Sequence, residues 1–184
     1  AIRLDPAQLS PWYYKATALI ELKHYEECIP CYDEAIRLDP TKFESWNAKG
    51  YALFNLKHYE EAIPCYDEAI RLDPAQFMSW ANKLVLLLEL EQHGEIVVCC
   101  NEIIKLDFNN YDIINFKAMA LVELKRYDEA ITCCDDYIKL NPNNSELWSM
   151  KGEVLKEMGK KKEAELCFIQ AKKLENEFND EIET

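Results

Sequence analysis

KHYEECIPCYDEAIRLDP, residues 23–40, returns almost unchanged as KHYEEAIPCYDEAIRLDP at residues 57–74. The offset is 34 residues, and the same step organises the chain on either side. It carries Trp12 to Trp46 and Trp80, passes through Ile114 and lands on Trp148. It carries Leu19 to Leu53, Leu87, Leu121 and Leu155, and Leu38 to Leu72, Leu106, Leu140 and Leu174. A fixed period of a few tens of residues marks a repeat architecture. Five full units follow, at 9–42, 43–76, 77–110, 111–144 and 145–178, between a leading piece at 1–8 and an acidic tail at 179–184.

Within one unit the apolar spacing is helical. Trp46, Gly50, Leu53 and Leu56 fall at steps of four, three and three. After a break at Lys57-His58, a second stripe runs through Tyr59, Ala62, Ile63, Tyr66, Ala69 and Ile70. His58, with Glu61 three residues later, resembles a weak capping box. Asp73-Pro74 stops the second helix, because the residue before a proline avoids the helical region. Pro30 and Pro64 lie beyond the first turn of their helices and are expected to kink them locally. A single helix pair cannot bury both stripes, so neighbouring pairs must stack.

Trp46, Gly50, Tyr59, Ala62, Tyr66, Ala69 and Pro74 match the signature of the tetratricopeptide-repeat (TPR) family, and the resemblance covers essentially the whole chain. It implies an all-α fold, a right-handed α-α superhelix or solenoid of five 34-residue helix-turn-helix repeats whose first helices line a concave wall. One common family residue is replaced throughout: the Leu before the glycine of the first helix is Lys15, Lys49, Lys83, Lys117 and Lys151. The third repeat departs most, with Leu84, Ile96 and Ile103 at small-residue places, Cys100 at a large aromatic and Phe108 at the proline. The fourth carries Cys134 and Tyr137 in similar exchanges. Small-for-large balanced by large-for-small keeps core volume roughly constant, so these read as repacking.

The two ends differ. AIRLDP at 1–6 repeats residues 35–40, so the chain is expected to open with the tail of a preceding repeat, as a fragment of a longer array. The fifth repeat is polar on its free side (Glu153, Lys156, Glu157, Lys160, Lys161, Lys162), as a capping unit requires, so residue 184 is expected near the true C-terminus.

Charge narrows the partners. There are 34 acidic against 21 basic residues, a formal net charge of -13. That balance repels phosphate backbones and anionic headgroups, which argues against nucleic acid and membrane surfaces and for a partner with basic residues. The apolar run Leu84–Leu88 is far short of the roughly 20 residues that span a bilayer, and the N-terminus has no charged-then-apolar leader. Eight cysteines in a helical chain point to a reducing, cytoplasmic setting rather than a disulfide scaffold.

No constellation suggests catalysis or a cofactor. Cys31, Cys65, Cys99, Cys133 and Cys167 form a ladder spaced by 34 residues. Equivalent points on stacked helices lie about 8–10 Å apart, too far for a disulfide. Cys28-x-x-Cys31 has no second pair to complete a zinc site. His24 and His58 occupy a cap or turn, and His93 stands where the repeat has a tyrosine. The lysine ladder sits at the edge of the buried stripe, where its stems pack and its ammonium groups reach water or a neighbouring acid.

From family geometry, the inward face of the first helices carries Tyr13, Thr17 and Ile20; Asn47, Tyr51 and Phe54; Met78, Ala81, Val85 and Leu88; and Asn115, Met119 and Val122. Glu21, Glu44, Glu89, Asp112 and Glu123 rim this strip. A contiguous apolar strip on a concave surface marks a binding site, although concave tyrosines also cover one another in this family. The carboxylate clamp with which some members grip acidic chaperone tails is not expected. Its places hold Tyr13, Thr17, Ala48, Met78 and Asn82 in one register and Asn47, Tyr51, Asn82, Asp112 and Phe116 in the next. A third register gives Ala81, Val85, Phe116, Glu146 and Met150, and none supplies a cation. The leading expectation is a scaffold holding a peptide or helix in the groove. The alternatives are a regulatory or targeting arm of a larger enzyme, and self-assembly through the end at 1–8.

Overall fold

The structure, a computed structural model, describes residues 10–106 and 110–182, with side chains as far as Glu177. The expected leading piece at 1–8, with the self-association end placed there, Phe108, and the last two residues of the acidic tail lie outside the described residues.

Among the described residues there are ten helices and no strand. They are α1 (Pro11–Glu21), α2 (Tyr25–Leu38), α3 (Phe43–Asn55), α4 (Tyr59–Leu72), α5 (Phe77–Glu89), α6 (His93–Leu106), α7 (Tyr111–Glu123), α8 (Tyr127–Leu140), α9 (Ser145–Glu157) and α10 (Lys161–Ile182). Odd-numbered helices are the first, even-numbered the second, of each repeat. The helix at the chain's end, α10, is 22 residues long against 14 for the other second helices.

Local sequence sets the helix limits. Ser10 caps α1 by accepting the Tyr13 N–H at 3.3 Å, with Pro11 at the first helical position. Asn110 and Asn144 cap α7 and α9 by accepting from the N–H groups of Ile113 (3.4 Å) and Leu147 (3.1 Å). The expected capping box at His58 is corrected: its side chain caps no backbone N–H. The imidazole Nδ1 instead faces Glu61 at 3.5 Å, as His24 faces Glu27 at 3.0 Å. Helices α2 and α4 run on through Pro30 and Pro64. Both prolines are exposed, and neither can donate the helical bond to the carbonyl one turn earlier.

The first helices end in a device that the apolar pattern does not show. Lys23, Lys57, Glu91, Lys125 and Gly159 all have positive φ, from 52° to 77°. Around Lys57 the chain makes the paired bonds of a Schellman motif, Lys57 N–H to Phe54 O at 2.9 Å and His58 N–H to Leu53 O at 2.9 Å. Only Gly159 adopts this conformation without a Cβ penalty.

The chain divides into two compact units, residues 1–90 and 91–184. In the first, consecutive helices from α1 to α5 pack on one another, α1 also touches α3, and α3 touches α5. In the second, α6 to α10 pack in sequence and α7 touches α9. Among the described residues of each unit, first helices meet across repeats and second helices do not. Each unit therefore bends with its first helices on the inside.

Close approach within a pair depends on size matching. An added Cβ on Gly50 would lie 2.8 Å from Cε1 of the Tyr66 ring, and one on Gly152 would lie 2.6 Å from Cε1 of Phe168. In the fourth repeat the same two places hold Ala118 and Cys134, both fully buried. Indoles tie repeat to repeat: the Nε1–H groups of Trp46, Trp80 and Trp148 donate to the carbonyls of Pro40, Pro74 and Pro142 at 3.0, 3.0 and 2.8 Å. The one junction whose sequence lacks this tryptophan, at Ile114, also lacks the proline, at Phe108.

Candidate functional site

Three sets of groups could carry chemistry or recognition: the thiols, the lysine ladder and the inner faces.

All eight cysteines are free and buried. Cys28, Cys31 and Cys65 donate their S–H groups to the carbonyls of Tyr25 (3.1 Å), Glu27 (3.7 Å) and Glu61 (3.4 Å). Burial pushes the Cys28 and Cys65 thiols up from 9.0 to about 11, and Cys100 and Cys134 up to about 12. A thiol is a nucleophile or metal ligand only as the thiolate, so these four are inert fillers at neutral pH. Among the described residues, no group of three or more His, Cys, Asp or Glu is placed to hold a metal, and no helix is long and apolar enough to cross a membrane.

The lysines at the edge of the stripe bridge one repeat to the next. Lys49 meets Asp33 at 2.6 Å, Lys83 meets Asp67 at 2.6 Å and Lys151 meets Asp135 at 2.5 Å, each lysine sixteen residues after its acid. The stems are largely covered while the carboxylates face water, so each pair is a modest contribution. Lys15, in the first repeat, lies 5.4 Å over the Trp12 ring. Lys117 breaks the series because Asn101 stands where the acid belongs, and it makes no ion pair with a described residue.

In the first unit the inner face divides in two. Tyr13, Ile20 and Phe54 pack against the core, Tyr13 lying edge-on to Tyr32 at 5.8 Å. The Thr17 hydroxyl donates to the Tyr13 carbonyl at 3.0 Å and lies 3.4 Å from the Tyr32 hydroxyl. Asn47 accepts from Asn82 Nδ2 at 3.1 Å, which joins α3 to α5. These residues cover one another. Ala81 and Leu88 are half-buried, whereas Met78, Val85 and Tyr51 are exposed, Tyr51 lying edge-on to Tyr25 at 6.5 Å. Of the acidic rim here, Glu21 and Glu89 are exposed and Glu44 is half-buried.

The second unit has a formed cleft. Between α7 and α9 lies a hollow of about 400 Å³, lined by Asn115, Ala118, Met119, Val122 and Glu123 on one side and Met150, Glu153, Val154 and Glu157 on the other. A second hollow of about 370 Å³ shares Asn115, Met150 and Glu153 with it, and adds Tyr111, Asp112, Glu146, Leu147, Ser149 and, from α10, Glu175. The apolar lining is Ala118, Met119, Val122, Leu147, Met150 and Val154, six carboxylates stand among it, and no lining residue is basic. Asn115, Met119, Val122, Asp112 and Glu123 thus come together with a facing wall from α9 that the sequence reading left out. The signal for that wall was present, because Met150, Glu153 and Glu157 sit 34 residues after Phe116, Met119 and Glu123.

Comparison with known proteins locates the chain. Family models described as tetratricopeptide repeat match residues 10–42, 43–76, 111–144 and 133–165, about two thirds of the chain. The divergent third repeat falls between these stretches. No curated protein sequence matches. Among solved structures, the chain is similar to a MamA protein with a TM-score of 0.74 at 15% identity, over 92% of both chains. It is similar to MamA of Desulfovibrio magneticus RS-1, taken from its residue 41 to its end, at 0.70 and 18%, over 92% of this chain and 98% of that one. It is also similar to YrrB, described as a TPR protein with an unusual peptide-binding site, at 0.72 and 18%, over 91% and 86%. At such identities the likeness shows the fold, that of a TPR solenoid. With the repeat matches, the indole ties and the paired helices in hand, the chain belongs to the tetratricopeptide-repeat family.

Proposed function

We propose that this chain is a protein-interaction scaffold that works by binding, not catalysis, and that it holds partner segments carrying apolar anchors and Lys or Arg flanks on the inner faces of its first helices. The observation that carries this reading is the second unit's cleft, with Met119, Met150 and Val154 in its lining and carboxylates as its only charged groups. An apolar lining supplies non-directional affinity, while the carboxylates select sign and orientation. The exposed Tyr51, Met78 and Val85 offer a second apolar surface in the first unit. YrrB, a protein of the same fold, is described by its peptide-binding site, which fits this use of the fold.

An acidic chaperone tail is the wrong partner. It would meet Glu123, Glu146, Glu153 and Glu157 with no cation among the residues lining the cleft. Nucleic acid and anionic membrane are disfavoured by the same sign of charge. The buried, protonated thiols fit a reducing, cytoplasmic setting.

Titration of peptides with one leucine flanked by lysines tests the proposal. Affinity is expected to fall with added salt and to drop about tenfold or more on Met119→Glu in the second unit. Leu88→Glu reports separately on the first. Binding that ignores salt and both substitutions, or preference for an acidic peptide, would sink it.

A further inference from the structure

Helix α10 closes the second unit with one face packed and the opposite face uncovered. Ala164, Cys167, Ala171 and Leu174 are buried on the side facing α9. Half a turn round the helix, at 3.6 residues per turn, stand Lys162, Glu165, Leu166, Ile169 and Lys173, all exposed. Leu166 is 67% and Ile169 59% exposed, so no described residue covers this face. Lys160, Lys161 and Lys162 are exposed as well, so this pair of apolar side chains stands in a charged surrounding.

Ile169 is also out of register with its own repeat series. At steps of 34 residues its place is held by Asp33, Asp67, Asn101 and Asp135. Three of these meet the lysine of the following repeat at 2.5–2.6 Å, which is how a second helix engages the next first helix. Ile169 can engage no such lysine. An acid replaced by isoleucine at the centre of an open helix face specifies an apolar neighbour.

We propose that this neighbour is α10 of a second copy of the chain, packed antiparallel about a two-fold axis at Ile169. The charges on the face are complementary in that arrangement. Each Glu165 comes level with Lys173 of the other copy, and Ile169 meets Ile169. Lys173 already lies 3.6 Å from Glu177 within its own helix, so each end holds a network of three charges, Glu165 of one copy with Lys173 and Glu177 of the other. Moving the axis one turn, to Glu165 or to Lys173, would set like charge on like. One helix face is small for a permanent dimer, and the association is therefore reversible and transient.

Sedimentation equilibrium of the full chain across concentration tests this. The expected result is a monomer–dimer equilibrium weakened about tenfold or more by Ile169→Asp, which restores the acid of the other repeats. Glu165→Lys should weaken it similarly by facing lysine with lysine, and Glu165→Lys with Lys173→Glu should recover the wild-type constant to within about threefold. Both positions are solvent-exposed, and circular dichroism melting confirms that the variants fold. A strict monomer overturns the proposal, as does a dimer indifferent to Ile169→Asp. A dimer that the charge exchange fails to restore overturns the antiparallel register.

Discussion

Replacing Gly50 by alanine tests the size matching that sets the distance between α3 and α4. The added methyl would lie 2.8, 2.9 and 3.1 Å from Cε1, Cδ1 and Cζ of Tyr66, where ordinary contact begins near 3.4 Å. The ring would have to retreat by roughly 0.6 Å. Tyr66 is only 1% exposed and is wedged among Leu53, Ala62, Cys65 and Leu86, so it has no open side to move into. Overpacking of this kind costs about 1–3 kcal/mol. The first repeat already combines Ala16 with Tyr32, which shows that a pair can be spaced for the larger residue and places the cost at about 1–2 kcal/mol. Tyr66→Cys alone should cost about 3 kcal/mol through the cavity it leaves. The double variant reproduces the Ala118 and Cys134 of the fourth repeat and should be more stable than the sum of the singles predicts, by about 1 kcal/mol. Urea unfolding followed by circular dichroism measures all four proteins. A Gly50→Ala protein as stable as wild type, or strict additivity in the double variant, would refute the reasoning.

Three further outcomes are expected. Lys57→Gly removes the Cβ penalty at φ 63° and should stabilise the chain by about 0.5–1 kcal/mol in the same assay. Asn101→Asp gives Lys117 the carboxylate that Lys49, Lys83 and Lys151 have, and should add up to about 0.5–1 kcal/mol that high salt removes. The thiols titrate higher in the folded chain, at about 11 for Cys28 and Cys65 and about 12 for Cys100 and Cys134, against 9.0 ordinarily. The folded state therefore holds these protons more tightly than the unfolded one. Stability is full below pH 9 and falls as pH rises toward 11–12, and alkylation of native protein at pH 7 should be slow until denaturant is added.

Most of the fold is legible in the sequence because a 34-residue step repeats the same physical requirements. The apolar stripes, the Asp-Pro stops and the small residues at Gly50, Ala62 and Ala69 each report a burial or backbone constraint that acts locally. The left-handed residue ending each first helix escaped notice because Lys23, Lys57 and Lys125 fill it in place of the glycine that signals such a cap. In the sequence the inner strip reads as one surface. Whether a half-buried Thr17 or Phe54 meets a partner or its own core depends on what stands across from it, here Tyr32 and Tyr59, 5.6 Å from Phe54. Periodicity places a residue on a helix face and says nothing of that neighbour. Ile169 was visible as a break in the aspartate series, but its exposure required the packing of α10.

Methyl-labelled methionine gives the most direct test of the proposed binding role, because Met119 and Met150 line the cleft while Met158 packs into the core beside Ala164 and Cys167. On titration with a lysine-flanked leucine peptide, the Met119 and Met150 methyl resonances should shift together and saturably, with Met158 unmoved. Unchanged Met119 and Met150 signals at peptide concentrations that saturate binding would contradict the cleft as the place where this scaffold holds its partner.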